Sequence, residues 1–66
     1  MKNSIKVERA KKNITQEDLA NSVSVSRQTI NAVETGKFVP STILALKIAR
    51  YFQVPLESLF ELDNND

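Results

Sequence analysis

Residues 16–35, Gln-Glu-Asp-Leu-Ala-Asn-Ser-Val-Ser-Val-Ser-Arg-Gln-Thr-Ile-Asn-Ala-Val-Glu-Thr, constrain this chain more than any other stretch. They read as two short helices joined by a tight turn. Leu19, Ala20 and Val23 give the first segment an inward face, and Ile30 and Val33 do the same for the second. Thr15 precedes the first segment as an N-cap, with Asp18 three residues on in an acidic variant of the capping box. Ser26 caps the second. Ala20 is small where two helices cross closely, Ser24 sits in the turn, and Val25 plugs the turn into the core. Gly36 stops the second helix, because glycine enters the left-handed region without a Cβ penalty.

The flanking segments supply three more helices. The first runs from about Ser4 to Lys12 with Ile5, Val7 and Ala10. Its apolar stripe is poor, and Asn13 ends it. Pro40 disfavours helix at Val39, and Ser41 caps a fourth helix whose broad apolar face includes Ile43, Leu44, Leu46, Ile48, Tyr51 and Phe52. Such a face belongs to a central core helix. Pro55 opens a short fifth helix carrying Leu56, Leu59 and Phe60. No segment alternates as a strand should. The expectation is an all-α, five-helix domain covering residues 1–66, with 63–66 as a frayed tail.

Composition narrows the function. The chain has 66 residues, no histidine, no cysteine and a single glycine. The common general base, thiolate metal sites, disulfides and glycine-rich phosphate loops are therefore missing. The eight carboxylates are scattered, with no pair suggesting an acid/base couple. The expectation is no enzyme, no cofactor, no metal and no evident small-molecule ligand. No apolar run approaches a membrane span, and Met1-Lys2-Asn3-Ser4 leads into a charged segment, so a cytoplasmic location is expected. The formal net charge is only +1, but it is unevenly spread. Lys2, Lys6, Arg9, Lys11 and Lys12 crowd the beginning, and Glu57, Glu61, Asp63 and Asp66 the end. Only the first suits a polyanion.

Arg27, Gln28, Asn31 and Ala32 lie on the face of the third helix opposite Ile30 and Val33. Arg can bond guanine O6 and N7 in the major groove, Gln or Asn can bond adenine N6 and N7, and an alanine methyl can touch thymine. Together with Ile14-Thr15-Gln16 before it, Glu34-Thr35-Gly36-Lys37 after it and Pro40-Ser41 beyond, the motif resembles the helix-turn-helix of phage repressors and Xre-like regulators. The resemblance runs from about Ile5 to Phe60. It implies a lambda-repressor-like DNA-binding domain, with helices two and three as the helix-turn-helix and Ser26–Glu34 as the recognition helix.

The same resemblance implies residue roles. Arg27, Gln28, Asn31 and Ala32 would read bases, although a phosphate contact is the rival reading of Arg27. Thr15, Gln16, Ser26, Thr29 and Lys37 would hold phosphates, with capping the larger role of Thr15 and Ser26. Gln16 would also brace Arg27 or Gln28. Arg9 and Glu34 would form an ion pair between the first and third helices. Three positions that usually favour glycine are Asn13, Ser24 and Gln53, and Glu8 stands where relatives place leucine. Ser24 implies strain or an adjusted turn, and Glu8 needs solvent, another subunit or a base such as Lys12.

The implied partner is double-stranded DNA, bound by a homodimer on an inverted-repeat operator. Val54, Leu56, Leu59, Phe60 and Leu62 are the expected interface, with an intramolecular core as the competing use of the same residues. Steric blocking of transcription makes repression the expected outcome. The alternative is a protein-interaction or antitoxin-like module on the same fold.

Overall fold

Helix boundaries follow the capping residues. The computed structural model describes residues 1–66 and contains α1 (Ile5–Lys12), α2 (Gln16–Val23), α3 (Arg27–Glu34), α4 (Thr42–Phe52) and α5 (Leu56–Leu59). Thr15 and Asp18 complete a capping box on α2: the Thr15 hydroxyl accepts from the Asp18 N–H, and the Asp18 carboxylate accepts from the Thr15 N–H, both at 3.0 Å. Ser26 Oγ accepts from the Thr29 N–H at 3.2 Å, and Ser41 Oγ from the Leu44 N–H at 3.1 Å. Each bond satisfies a donor that a helix start leaves unpaired, and losing one costs about 1 kcal/mol.

Three helices end on a left-handed residue that is not glycine. Asn13, Ser24 and Gln53 have φ of 56°, 62° and 56°. The turns therefore keep the geometry that favours glycine, and the departure is absorbed as backbone strain. Asn tolerates this region, whereas Ser and Gln pay about 1 kcal/mol each. Gly36, at φ 80°, takes the same region without that cost.

One pair of elements is not helical. Lys2–Asn3 (β1) pairs antiparallel with Phe60–Glu61 (β2), with Lys2 opposite Glu61 and Asn3 opposite Phe60. Phe60 is thus extended, and α5 stops one residue short of the sequence expectation. Strands of two residues carry no readable alternation, which is why the sequence concealed them.

Beyond the ribbon, residues 63–66, expected as a frayed tail, make contacts with one another and with the start of the chain. The Asp63 N–H donates to Asp66 Oδ2 at 2.7 Å, and the Asp66 N–H returns to the Asp63 carbonyl at 3.1 Å. The Met1 ammonium lies 2.9 Å from Asp63 and 3.1 Å from Asp66. Bonding to Asp63, then Asp66, raises the pKa of this ammonium. The Asp63 N–H, then the ammonium, lowers that of Asp66.

This pairing corrects the charge map. The basic beginning and acidic end are neighbours, and Lys2 Nζ sits 3.9 Å from both Glu61 and Asp63. The two ends partly neutralise each other instead of forming separate fields. The cations outside any ion pair are Lys6, Lys12, Arg27, Lys37, Lys47 and Arg50.

Every helix contributes one nearly inaccessible anchor to the core: Ile5, Leu19, Ile30, Ile48 and Leu59. Burying a side chain of this size contributes about 1.5–3 kcal/mol. From α4, Leu44, Ala45, Ile48, Ala49 and Phe52 are buried, but Ile43 and Leu46 are exposed, so its inward face is narrower than expected. On α1 only Ile5 is buried, whereas Val7 and Ala10 are exposed. The ion pair of Arg9 with Glu34 supplies the attachment that a second apolar residue would have given.

Candidate nucleic-acid interface

The site starts with α3, which has opposed faces. Ile30 and Val33 are buried, and Arg27, Gln28 and Asn31 are exposed. Arg27 and Gln28 take no part in the side-chain bonds that brace the domain, so both can reach outward. Ala32 is half-buried, and its carbonyl accepts the N–H groups of Lys37 at 2.9 Å and Phe38 at 3.1 Å. These two bonds hang the α3–α4 loop from the end of α3 and hold exposed Lys37 beside it.

Behind α3 lies a polar brace. Arg9 Nε donates to Glu34 Oε2 at 3.1 Å, and Arg9 Nη2 to Glu34 Oε1 at 2.7 Å. Arg9 Nη1 also donates to the Ile14 carbonyl at 3.0 Å. The pair is largely out of solvent, with side-chain exposures of 16% for Arg9 and 7% for Glu34. The two-pronged contact suits a planar guanidinium, and the hydrogen bond to Glu34 raises the Arg9 pKa. One guanidinium thereby joins α1, the α1–α2 loop and the end of α3.

Gln16, the first residue of α2, extends this brace. Its Nε2 donates to Asn31 Oδ1 at 3.1 Å and to Glu34 Oε2 at 3.4 Å. The sequence placed Gln16 against Arg27 or Gln28. The structure places it against Asn31, because Asn31 and Glu34 are three apart and share the helix face beside the start of α2. Among the other phosphate candidates, Thr15 and Ser26 are exposed with their hydroxyls engaged in capping. Thr29 is half-buried, with its hydroxyl 3.0 Å from that of Ser26.

Asn3 is the residue that sequence reasoning missed. Its Oδ1 accepts from the Ile5 N–H at 3.1 Å, and its Nδ2 donates to the Val33 and Glu34 carbonyls at 3.0 and 3.4 Å. It therefore starts α1 and ties the end of α3 to it, reaching the Glu34 carbonyl and adding a second donor to the Val33 carbonyl, which also accepts the Gly36 N–H at 3.1 Å. Asn two residues before a helix start, accepting from the N–H two positions on, is a local turn signal. The contact thirty residues away has no sequence signature.

Two further positions resolve open expectations. Glu8 reaches Lys11 at 3.2 Å, and not Lys12, whose ammonium lies 5.6 Å from the centre of the Tyr51 ring. Leu59 is 1% exposed and belongs to the core of its own chain, so it is removed from the expected dimer interface. Val54, Leu56 and Phe60 are half-buried against that core, and Leu62 is 73% exposed.

The sequence model of the helix-turn-helix family matches residues 5–59. The chain belongs to the helix-turn-helix family. The five-helix arrangement fits the lambda-repressor-like version of that fold, with α2 and α3 as its helix-turn-helix. An uncharacterized HTH-type transcriptional regulator of Methanocaldococcus jannaschii is 52% identical over the full length of both chains. One of Bacillus subtilis is 44% identical, again over both full lengths. A third, of Archaeoglobus fulgidus, is 48% identical over all of this chain and 93% of its own. No helix here is long and apolar enough to cross a membrane.

Proposed function

We propose that this helix-turn-helix protein is a sequence-specific, double-stranded DNA-binding transcriptional regulator. The observation that carries the reading is α3 itself: Ile30 and Val33 fix one face in the core, while Arg27, Gln28 and Asn31 stand exposed on the other. Those three side chains suit the edges of bases in a major groove. Lys37, through its ammonium, and Gln16, through its backbone N–H at the start of α2, flank them and set register through phosphates, with Thr15, Ser26 and Thr29 adding hydroxyls and helix-start N–H groups. Ala32 adds only an edge of its methyl. The names of the relatives, all HTH-type transcriptional regulators, support the same reading.

The regulator acts as a homodimer on an inverted repeat. One α3 reads one half-site, and two-fold symmetry supplies the second. Leu62, with the exposed edges of Val54, Leu56 and Phe60, forms the contact between copies. Bound across a promoter, the dimer represses by excluding the transcription machinery, and this takes place in the cytoplasm.

Selection of duplexes from a random pool, followed by anisotropy titrations at several salt concentrations, tests the proposal. A defined inverted repeat should emerge, and log K should fall linearly with log salt by about 0.9 for each phosphate contacted. Failure to enrich any sequence, with binding to all duplexes absent at low salt, would favour a protein-interaction module instead.

A further inference from the structure

The brace behind α3 has a direction, because its members differ in what they can donate. A guanidinium only donates, and an ion-paired carboxylate only accepts. Arg9 occupies both Glu34 oxygens, at 2.7 and 3.1 Å. Gln16 approaches one of the same oxygens at 3.4 Å, and it can do so only through its amide nitrogen. That nitrogen also lies 3.1 Å from the Asn31 side chain. Asn31 must therefore turn its carbonyl oxygen toward Gln16, since two amide NH2 groups facing each other would be unpaired donors. The orientation of each amide, which electron density alone rarely distinguishes, follows here from the chemistry of the network.

The consequence is a fixed pattern on the exposed surface. Asn31 is exposed and its Nδ2 makes no hydrogen bond within the chain, which leaves it free as a donor, and Gln16 Oε1 is likewise free as an acceptor. We propose that the Arg9–Glu34 pair, acting through Gln16, fixes Asn31 as a hydrogen-bond donor toward DNA, so that it takes an acceptor on a base edge, here a purine N7, and rejects the cytosine amine. This inference rests on the DNA-reading function proposed above. It makes Gln16 and Glu34 positioning residues for base selection in addition to their part in the fold. It also narrows the options for Asn31: a free asparagine can turn either its oxygen or its nitrogen to a base edge, and this one has that choice removed before DNA arrives.

The test uses the full chain and its selected duplex. The base under Asn31 is the position whose preference relaxes in Asn31→Ala. Replacing the purine there with its 7-deaza analogue removes the N7 acceptor and leaves the Watson–Crick edge intact. Wild type should lose about tenfold in affinity on that substitution, comparable to one good base contact, and Asn31→Ala should lose nothing further. In Gln16→Met, which keeps the Arg9–Glu34 pair, the loss should fall below about threefold as Asn31 regains its freedom to turn. Glu34→Gln should behave alike, its folding verified by circular dichroism.

A purely structural role for Gln16 would weaken binding at every base equally. The proposal instead requires that deaza sensitivity change under Asn31 and remain unchanged under Gln28. Indifference of wild type to 7-deaza substitution beneath Asn31 overturns it. So does a loss seen only when the 6-amino group of an adenine at that site is removed, which would show Asn31 acting as an acceptor. A chain that enriches no duplex at all refutes the DNA-binding reading itself, a result distinct from either of these.

Discussion

Replacing Glu34 with alanine isolates what the polar brace contributes to stability. Its carboxylate is 7% exposed and receives two hydrogen bonds from an Arg9 side chain that is 16% exposed. Truncation leaves the guanidinium largely out of water, with the Ile14 carbonyl as its only remaining partner. Breaking a buried pair by removing one member costs about 3–5 kcal/mol, and the partial access of Arg9 to solvent puts this one near the lower limit, about 3 kcal/mol. A domain this size has a total stability of roughly 3–10 kcal/mol, so the loss is a large part of the whole. It corresponds to a fall in melting temperature of roughly 12–24 °C. Urea unfolding followed by circular dichroism, at one fixed protein concentration, measures it. Arg9→Met should cost a similar amount, whereas the double variant Arg9→Met/Glu34→Leu should cost less than the sum of the two, because neither charge is then stranded. Single variants that lose less than about 0.5 kcal/mol, the range of an exposed ion pair, would refute the reasoning.

Three shorter tests address other parts of the account. Ser24→Gly should stabilise by about 0.5 kcal/mol, since relief of the left-handed strain exceeds the added unfolded-chain entropy; a lower urea midpoint would mean that the turn carries no strain. Lys37→Ala should weaken binding about equally on all duplexes and reduce the salt slope by about one, and a base-dependent loss would instead place Lys37 in the groove. Wild type should sediment as a dimer and Leu62→Lys as a monomer; a monomeric wild type at high micromolar concentration would remove the proposed interface.

What could be read from sequence was local. Thr15, Ser26 and Ser41 mark their helices because a capping residue acts within three positions of itself. Asn13 was legible as a left-handed stop because Asn tolerates that region, whereas Ser24 and Gln53 carry no such signal and came from the resemblance. The Arg9–Glu34 pair came from resemblance, since neither residue announces a partner twenty-five positions away. What stayed hidden was non-local and small. Two-residue strands have no period, and Asn3 looks like any polar residue before a helix. The separation of charge along the chain misled because antiparallel pairing folds the acidic end back onto the basic beginning. Leu59 and Leu62 are equally apolar in sequence, yet one completes the core and the other lies on the surface, a distinction set by where α5 gives way to β2.

The central claim is that the exposed face of α3 meets base edges. Titrating the isotopically labelled chain with its selected duplex, and following side-chain amide and arginine resonances by NMR, tests that contact atom by atom. The account predicts that the Gln28 and Asn31 amides and the Arg27 guanidinium shift most, followed by the backbone of Lys37 and Gln16. Perturbation confined to α5 and the ribbon, or to the outer face of α4, with α3 side chains unmoved, would contradict it.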